Sequence, residues 1–408
     1  MLVKYELLKI LRKKSTLLIM AVSLILTAFL FGLPAVQYQT YDQDGVMKGM
    51  EGIAFEKQQY ARLSVSLSEE YITKTIREVQ KLFESPDNVG YDGKETFLIG
   101  DAYWKGIAPR EKLLRFIAGT YSKPNESLGY DSLRQLDITK GAFFYQKMAE
   151  KREALLLDPA RALSKEQKEY WSRMAHKVKT PLQYGYYGGW EVIISCFEIL
   201  MFALLAICIV IAPVFSGEYQ AGTDAVILAA RYGKTKLVAA KIAAALLFGT
   251  AAFVLHVLTA CVLPLAAFGA EGWNLPIAIA NSTIPYPFTF LQAVLVNIGV
   301  IYLVLLAMMS LTLFLSAKMK SPYQVLVVLI PIFLIPIFLT PGNTAGIYNL
   351  ILFLLPYRCA MPEFGKYISY QFGGAVFDVL TVRAVLYLLI TMLILPLART
   401  TFKKHQVA

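Results

Sequence analysis

Six long apolar runs constrain the fold of this 408-residue chain more than any other feature. A helix rises about 1.5 Å per residue, so about 20 apolar residues cross the hydrocarbon core of a bilayer. The runs are Leu17–Val36, Val192–Phe215, Leu237–Phe268, Phe288–Ser316, Tyr323–Thr340 and Val376–Ala398. Only 17% of the residues are charged, against about 25% in soluble domains. The pattern predicts an all-α polytopic membrane protein with six transmembrane helices, one within residues 16–36 and five within residues 190–398.

Positively charged residues lie on one side of these runs. Four alternate segments hold 13 Lys and Arg in 50 residues: 1–14, 216–236, 318–322 and 399–408. The short segments on the opposite side, 269–285 and 342–375, hold 2 in 51. Cytoplasmic loops of membrane proteins carry such an excess of Lys and Arg. Both termini, including the tail 399–408, are therefore expected in the cytoplasm.

The net charge of +11 does not indicate a nucleic-acid partner. Residues 37–189 carry 23 basic and 21 acidic side chains, so most of the excess flanks the apolar runs. Anionic lipid attracts basic segments beside a membrane. Membrane lipid is therefore the expected partner of this charge.

The first 15 residues have an apolar and a polar side at helical spacing. The apolar positions are Val3, Leu7, Ile10 and Leu11, and the polar positions are Lys4, Glu6, Lys9, Arg12 and Lys13. This pattern predicts an amphipathic helix lying in the cytoplasmic interface of the membrane. The apolar run that follows is longer than the core of a signal peptide, which favours a retained span over a cleaved leader.

Residues 37–189 form one long polar segment, which the charge pattern places outside the cell. Helical spacing recurs over residues 55–85, with Ser68 as an internal helix start, and over residues 141–157 and 164–176. Ser164 with Gln167 predicts a capping box. The segment is therefore expected to be a mainly helical extracellular domain. It contains no cysteine, so we expect it to fold without disulfides.

The last third of the chain contains two irregular features. Pro331 and Pro336 are expected to bend the fifth span. The apolar stretch Ile347–Leu355 is too short to cross, which favours a re-entrant or interfacial segment over residues 343–375. Near the start of the last run, Arg383 is expected to snorkel outward.

The sequence lacks the residues that catalysis or ATP hydrolysis requires. The segment 232–235 contains the Gly-Lys-Thr end of a P-loop, but Leu228 stands where the first glycine is needed. No nucleophile or metal motif is present, and neither the three histidines nor the four cysteines have metal-ligand spacing. The chain is therefore expected not to be an enzyme, and any energy for transport must come from a partner or an ion gradient.

The segment that follows the second run has a distinctive order of residues. It contains Phe215, Glu218, Gly222, Thr223, Arg231 and Lys234. It resembles the intracellular loop of the ABC type-two permeases, in which an aromatic-x-x-Glu segment precedes Gly-Thr, a short apolar stretch, an Arg and a Lys. The start of the chain, with Glu6, Lys9 and Arg12, is similar to that family's Glu-Leu-x-Lys entry. The domain of about 150 residues after the first span resembles a subset of bacterial members.

This resemblance implies partners, cofactors and residue roles. The chain would sit in the bacterial plasma membrane, paired with a second permease copy or a similar chain and with a cytoplasmic ABC ATPase. ATP and Mg²⁺ would bind the ATPase, with no cofactor on this chain. Loop 216–236 would couple the two subunits, with Glu218 paired to a basic group, Gly222 allowing close backbone approach and Thr223 capping a helix. Arg231 and Lys234 would contact the ATPase, although the positive-inside rule alone accounts for both.

Two ionisable residues inside spans are candidates for a translocation path. Glu198 either lines a path for a cationic or amphipathic substrate or makes a structural hydrogen bond. His256 is more often a buried hydrogen-bonding residue than a proton relay. The expected function is export of an amphipathic substrate (peptide, lipid-like or drug-like), with self-protection against an antimicrobial peptide favoured. The alternatives are ATP-driven signal or mechanical transmission without transport, and extrusion of a cation such as sodium.

Overall fold

The first long helix of the chain has a surface suited to lipid. In the computed structural model, which describes residues 1–93, 96–124, 126, 128–342 and 346–404, helix α1 spans Leu2–Leu11 and α2 spans Lys14–Gln37. The side chains that α2 buries are Thr16, Ser23, Thr27 and Phe31. Its exposed side chains are large and apolar, among them Leu17, Leu18, Val22, Ile25 and Phe29. Polar groups inward and apolar groups outward are what a lipid solvent favours.

Residues 37–189 form short strands and helices. In chain order they are β1 (Gln39–Tyr41), β2 (Val46–Lys48), α3 (Gly49–Tyr60), β3 (Val65–Ser66), α4 (Glu69–Glu84), β4 (Val89–Tyr91), β5 (Thr96–Leu98), α5 (Gly100–Trp104), α6 (Glu111–Tyr121), α7 (Phe144–Leu157), α8 (Lys165–Ala175) and β6 (Gln183–Tyr184). Strands β1–β2, β4–β5 and β3–β6 pair antiparallel. The capping box of Ser164 and Gln167 is confirmed. The internal helix start at Ser68 is confirmed, since its side chain caps α4. A continuous helix over residues 55–85 is wrong, because β3 separates α3 from α4 and pairs with β6.

The remaining elements form the apolar bundle and its connections. They are α9 (Gly188–Cys196), α10 (Leu200–Ile211), α11 (Pro213–Gln220), α12 (Asp224–Ala229), α13 (Val238–Phe268), α14 (Phe290–Lys318), α15 (Pro322–Leu334), α16 (Ile347–Leu352), α17 (Pro356–Ala360), β7 (Ser369–Phe372), β8 (Ala375–Asp378) and α18 (Val379–Lys404). A π-helical turn, Gly233–Leu237, leads into α13. Helix α14 packs along α18, and α13 packs along α1 and α2. We call the end of the bundle near residues 37–189 the domain end, and the end near residues 216–236 the loop end.

Five helical segments within the described ranges are long and apolar enough to cross a membrane. They are Lys14–Gln37, Gly188–Gln220, Gly233–Phe268, Phe290–Lys318 and Val379–Lys404. The run expected as the fifth span forms a shorter apolar helix, Pro322–Ile337, whose α-helical part ends two residues before Pro336. The chain is therefore a multi-pass membrane protein, and the sixth crossing stays a prediction.

Helices α16 and α17 are too short to cross, and buried side chains satisfy the carbonyl groups around them. Arg383 donates from Nε to the Phe353 carbonyl and from Nη1 to the Met361 carbonyl, each at 2.9 Å. Tyr387 donates to the carbonyl of Leu354 at 2.7 Å. Irregular backbone at membrane depth requires such donors. The expectation that Arg383 snorkels outward is wrong, because its guanidinium is buried, with Nε and Nη1 bonded to these carbonyls.

The last span begins later than expected, and parts of two other predicted segments lie outside the described residues. Helix α18 begins at Val379 rather than near Val376, because Val376 pairs with Gln371 in the β7–β8 hairpin. Residues 343–345 of the predicted re-entrant segment lie outside the described residues. So do residues 405–408 of the predicted tail.

The domain is bonded to loops between the spans. Arg152 of α7 donates from Nε to the carbonyl of Ser282 at 2.8 Å and from Nη2 to that of Ile284 at 3.0 Å. Trp171 of α8 is buried and donates from Nε1 to the hydroxyl of Ser369 at 3.1 Å. These contacts join the domain to two separate connections at the domain end.

Candidate functional site

A buried serine holds the start of the loop at residues 216–236. Pro213 interrupts the helix between α10 and α11, and the first N–H groups of a helix have no partner within it. The hydroxyl of Ser316, on α14, accepts from the N–H groups of Phe215 and Ser216 at 3.0 Å each. It donates to the carbonyl of Ala212 at 2.6 Å. Sequence reasoning missed Ser316, because its only signal was its position at the end of an apolar run.

Phe215 is a core residue rather than part of the loop surface. Its ring is buried and lies 4.6 Å, centroid to centroid, from the ring of Phe402 on α18. The ring of Tyr219 stacks on the ring of Phe402, with 5.8 Å between the centroids. Its hydroxyl donates to the carbonyl of Ala317 at 2.9 Å. Helix α11 is thereby fixed to α14 and α18.

Gly222 ends helix α11. Its φ of +65° lies in the left-handed region, which glycine adopts without steric cost. Its N–H bonds to the carbonyl of Tyr219 at 3.1 Å, and the N–H of Thr223 bonds to that of Glu218 at 3.0 Å, which is the Schellman pattern. A Cβ at Gly222 would meet no atom within 4 Å. Within this chain Gly222 therefore turns the backbone, and a close approach by a partner subunit at this position stays a prediction.

A close backbone approach within the chain occurs at Gly233, eleven residues later. A Cβ there would lie 1.6 Å from the carbonyl oxygen of Ile227. Gly233 is buried and begins the π-helical turn that returns the chain to α13. The sequence presented this glycine only as part of an incomplete P-loop pattern.

Gly233→Ala is expected to destabilise the protein more than Gly222→Ala. The first change forces the carbonyl of Ile227 to move, at a cost of about 2–3 kcal/mol. The second only places alanine in a left-handed conformation, at about 1 kcal/mol. Thermal unfolding of the two purified full-length variants in detergent measures the difference. Equal destabilisation would contradict the assignment of the contact to Gly233.

An ion cluster ties the loop to the first helix and to the third span. Lys241 of α13 donates to Glu218 Oε1 at 2.6 Å and to Glu6 Oε2 at 2.9 Å. Lys9 lies 3.5 Å from both carboxylates. Lys241 and Glu6 are buried, whereas Lys9 is exposed. The pairing of Glu218 with basic groups is therefore present within the chain. The amphipathic pattern placed Glu6 on the polar side of the helix, but the structure buries its side chain in this cluster.

Thr223 belongs to this cluster instead of capping a helix. It precedes α12, but its hydroxyl does not bond to that helix and donates to Glu218 Oε2. Backbone angles of φ −89° and ψ −9° are helical, whereas a capping residue is usually extended. The prediction that Thr223 caps the helix is wrong for this reason.

The predicted contact residues Arg231 and Lys234 are exposed at the loop end, as is Arg12 of the predicted interfacial helix. The Arg231 guanidinium lies 5.3 Å from the ring of Tyr232, and Lys236 lies 4.7 Å from the same ring. Their charges face outward, while the carboxylate of Glu218 faces the cluster. The loop thus offers a basic, partly aromatic surface that a partner subunit can reach.

The structure gives the two candidate path residues separate neighbours. Glu198 accepts a hydrogen bond from Tyr357 of α17 at 3.2 Å. His256 is fully buried, with Nδ1 2.8 Å from the carbonyl of Ala252 and Nε2 2.9 Å from the hydroxyl of Ser23. Since a carbonyl only accepts, Nδ1 carries a proton, and in a neutral ring Nε2 accepts from Ser23. No hydrogen bond between the described residues joins Glu198 to His256, and both contacts suit structural hydrogen bonding.

Within the described ranges, no group of three or more His, Cys, Asp or Glu side chains is placed to hold a metal ion.

Comparison with known proteins identifies the family. A search of curated proteins and of solved structures returned no match. Residues 1–402 match the model of a family described as "ABC-2 family transporter protein". Because the match covers almost the whole sequence, the chain belongs to the ABC-2 family of transporter proteins.

Proposed function

We propose that the chain is the membrane permease subunit of an ABC exporter in the bacterial plasma membrane. Family membership supports the permease role and an association with a cytoplasmic ATPase. In this proposal ATP and Mg²⁺ bind that separate subunit, and the loop end faces the cytoplasm, as the distribution of Lys and Arg favours.

The observation that carries the proposal is the construction of the loop end. Segment 216–236 carries exposed charges. Its first helix, α11, is fixed to α1 and α13 by the ion cluster, to α14 by Ser316 and to α18 by Phe402. Beside the cluster lies a groove of about 340 Å³, lined in part by Lys13, Val214 and Ala221. Because the loop is fixed at these contacts, a displacement of the loop would be transmitted to the helices that flank it. Closing of an ATPase pair would therefore move α10 and α13 together.

The substrate class follows from charge and apolarity. Residues 37–189 have nearly balanced charge, and the spans are largely apolar, which favours an amphipathic substrate over a small ion. A peptide, lipid-like or drug-like molecule fits, and resistance to an antimicrobial peptide is the use that we favour. Two copies of the chain, or one copy with a similar partner, would form the working unit.

Reversing the exposed loop charges is expected to uncouple the two subunits. The variant Arg231→Glu/Lys234→Glu should lower ATPase activity of the purified complex in vesicles at least tenfold, because these side chains face the partner. Lys177→Glu/Lys179→Glu, also exposed but at the domain end, is the matched control and should keep full activity. Equal activity in both variants, or failure of the chain to associate with an ATPase, would contradict the proposal.

A second candidate, ATP-driven transmission of motion without transport, is favoured by the attachment of the domain. Besides Arg152 and Trp171, Lys112 of α6 pairs with Glu56 at 3.0 Å and with Glu191 of α9 at 3.7 Å. Burial alone would lower the pKa of Lys112, but these two carboxylates raise it above its usual value. Deletion of the domain distinguishes the candidates, because loss of substrate efflux supports export and loss of only a downstream response supports transmission.

A further inference from the structure

A cleft of about 540 Å³ lies at the domain end, between the domain and the re-entrant segment. The domain contributes the turn from Asp158 to Leu163. The opposite wall includes Leu350 and Phe353, near α16, and the loop Lys366–Ser369. Both walls therefore combine charged or polar side chains with apolar ones.

The guanidinium of Arg161 lies at this cleft, and only part of its hydrogen-bonding capacity is used by the protein. Its Nη1 donates to the carbonyl of Lys366 at 3.0 Å, and its guanidinium lies 5.5 Å from the ring of Tyr367. Its Nε is buried without a hydrogen-bond partner among the described residues. An unsatisfied buried donor costs free energy, and a charged donor costs more. Lys366 adds a second cation that pairs with Glu363 at 2.8 Å but stays half exposed, and the carboxylate of Asp158 accepts the N–H of Ala160 at 2.9 Å.

The two walls hold backbone conformations that are unfavourable for residues with a Cβ. Ala162, Glu363 and Tyr367 have φ values of +46°, +51° and +56°. In the described ranges these are the non-glycine residues with positive φ. Tyr367 lines the cleft, Ala162 follows the lining residue Arg161, and Glu363 pairs with the lining residue Lys366. Such conformations cost free energy and concentrate at ligand clamps.

Apolar side chains continue from the cleft onto the outer surface. Ile347, Tyr348 and Ile351 of α16 are 76%, 54% and 58% exposed, and Phe338 is 82% exposed. The three α16 residues adjoin Leu350, which lines the cleft, so an apolar chain can lie along α16 while its polar end reaches Arg161.

We propose that the cleft binds the phosphate of an anionic phospholipid from the membrane leaflet at the domain end. Arg161 donates to the phosphate, Lys366 adds charge, and an acyl chain lies along α16. Protein atoms cover Nε of Arg161, so the phosphate meets the guanidinium through its Nη groups. This site goes beyond the proposed function and does not depend on it.

Lipid retention by the full-length protein tests the site. The protein is titrated in nanodiscs that contain phosphatidylglycerol or phosphatidylcholine, and bound lipid is counted by native mass spectrometry. Wild type should retain phosphatidylglycerol preferentially, and Arg161→Gln should bind it about tenfold more weakly, the size of one charged hydrogen bond. Leu163→Trp, which fills the cleft and keeps both cations, should also weaken retention.

Arg173→Gln is the matched control, since Arg173 is exposed, lies on the same domain and does not line the cleft. It should retain lipid as wild type does. Equal retention by Arg161→Gln and Arg173→Gln would overturn the proposal. Displacement of the lipid by an equal concentration of glycerol phosphate would also overturn it, because the site would then take a soluble anion.

Discussion

Lys241→Met is expected to be the most damaging single substitution at the loop end. The side chain of Lys241 is 3% exposed and bonds to both Glu6 and Glu218. Its removal leaves two carboxylates together, with only the exposed Lys9 at 3.5 Å from each. Breaking a buried ion pair from one side costs about 3–5 kcal/mol. We expect a fall of about this size in the free energy of unfolding, measured by denaturant titration in detergent, and loss of stimulated ATPase activity in the complex.

Two variants show whether the effect arises from the uncompensated charge. Lys234→Met removes an exposed lysine from the same loop and should change stability little. Glu6→Gln/Glu218→Gln/Lys241→Met removes the three charges together and should recover much of the lost stability, because no carboxylate is left unpaired. A triple variant no more stable than Lys241→Met would show that the cost comes from packing and not from charge.

Arg383→Met should produce a comparable loss at the domain end. The carbonyls of Phe353 and Met361 would lose their donors in a buried position. Each unsatisfied buried group costs about 1–3 kcal/mol, so we expect a loss of about 2–6 kcal/mol. Arg383→Lys should restore only part of this, because one ammonium does not reproduce the spacing of two guanidinium nitrogens.

A local probe distinguishes opening of the segment around α16 and α17 from general unfolding. Cys359 of α17 is fully buried and lies within this segment. With the other three cysteines replaced, its reaction with a membrane-permeant thiol reagent should accelerate in Arg383→Met well below the unfolding temperature. Arg399→Met, which removes an exposed arginine from the same helix, is the control. Unchanged reactivity in Arg383→Met would contradict the role of Arg383 in holding the segment.

The sequence was informative wherever the deciding interactions are local. Long apolar runs predict spans because their transfer into lipid depends on composition and length alone. The Ser164 box was predictable because its partners are three residues apart. A continuous helix over residues 55–85 failed because β3 pairs with β6, more than a hundred residues later.

The functional loop shows the same division. Its residue order was enough to indicate the family and to single out Glu218. The resemblance gave Thr223 a capping role, whereas in the folded loop its hydroxyl binds Glu218, and the close contact within the chain is at Gly233. These outcomes depend on the turn at Gly222 and on the packing of the π-helical turn against α12, which spacing does not encode.

By itself, the sequence determined that this chain is a multi-pass membrane protein of a recognisable family, because hydropathy and charge distribution are properties of composition and order. Only the tertiary structure decided what the buried charges do. Glu6 and Lys241 are 235 positions apart, and Arg383 bonds carbonyls 22 and 30 residues away. A charge in an apolar surrounding is stable only beside its partner, and folding alone brings those partners together.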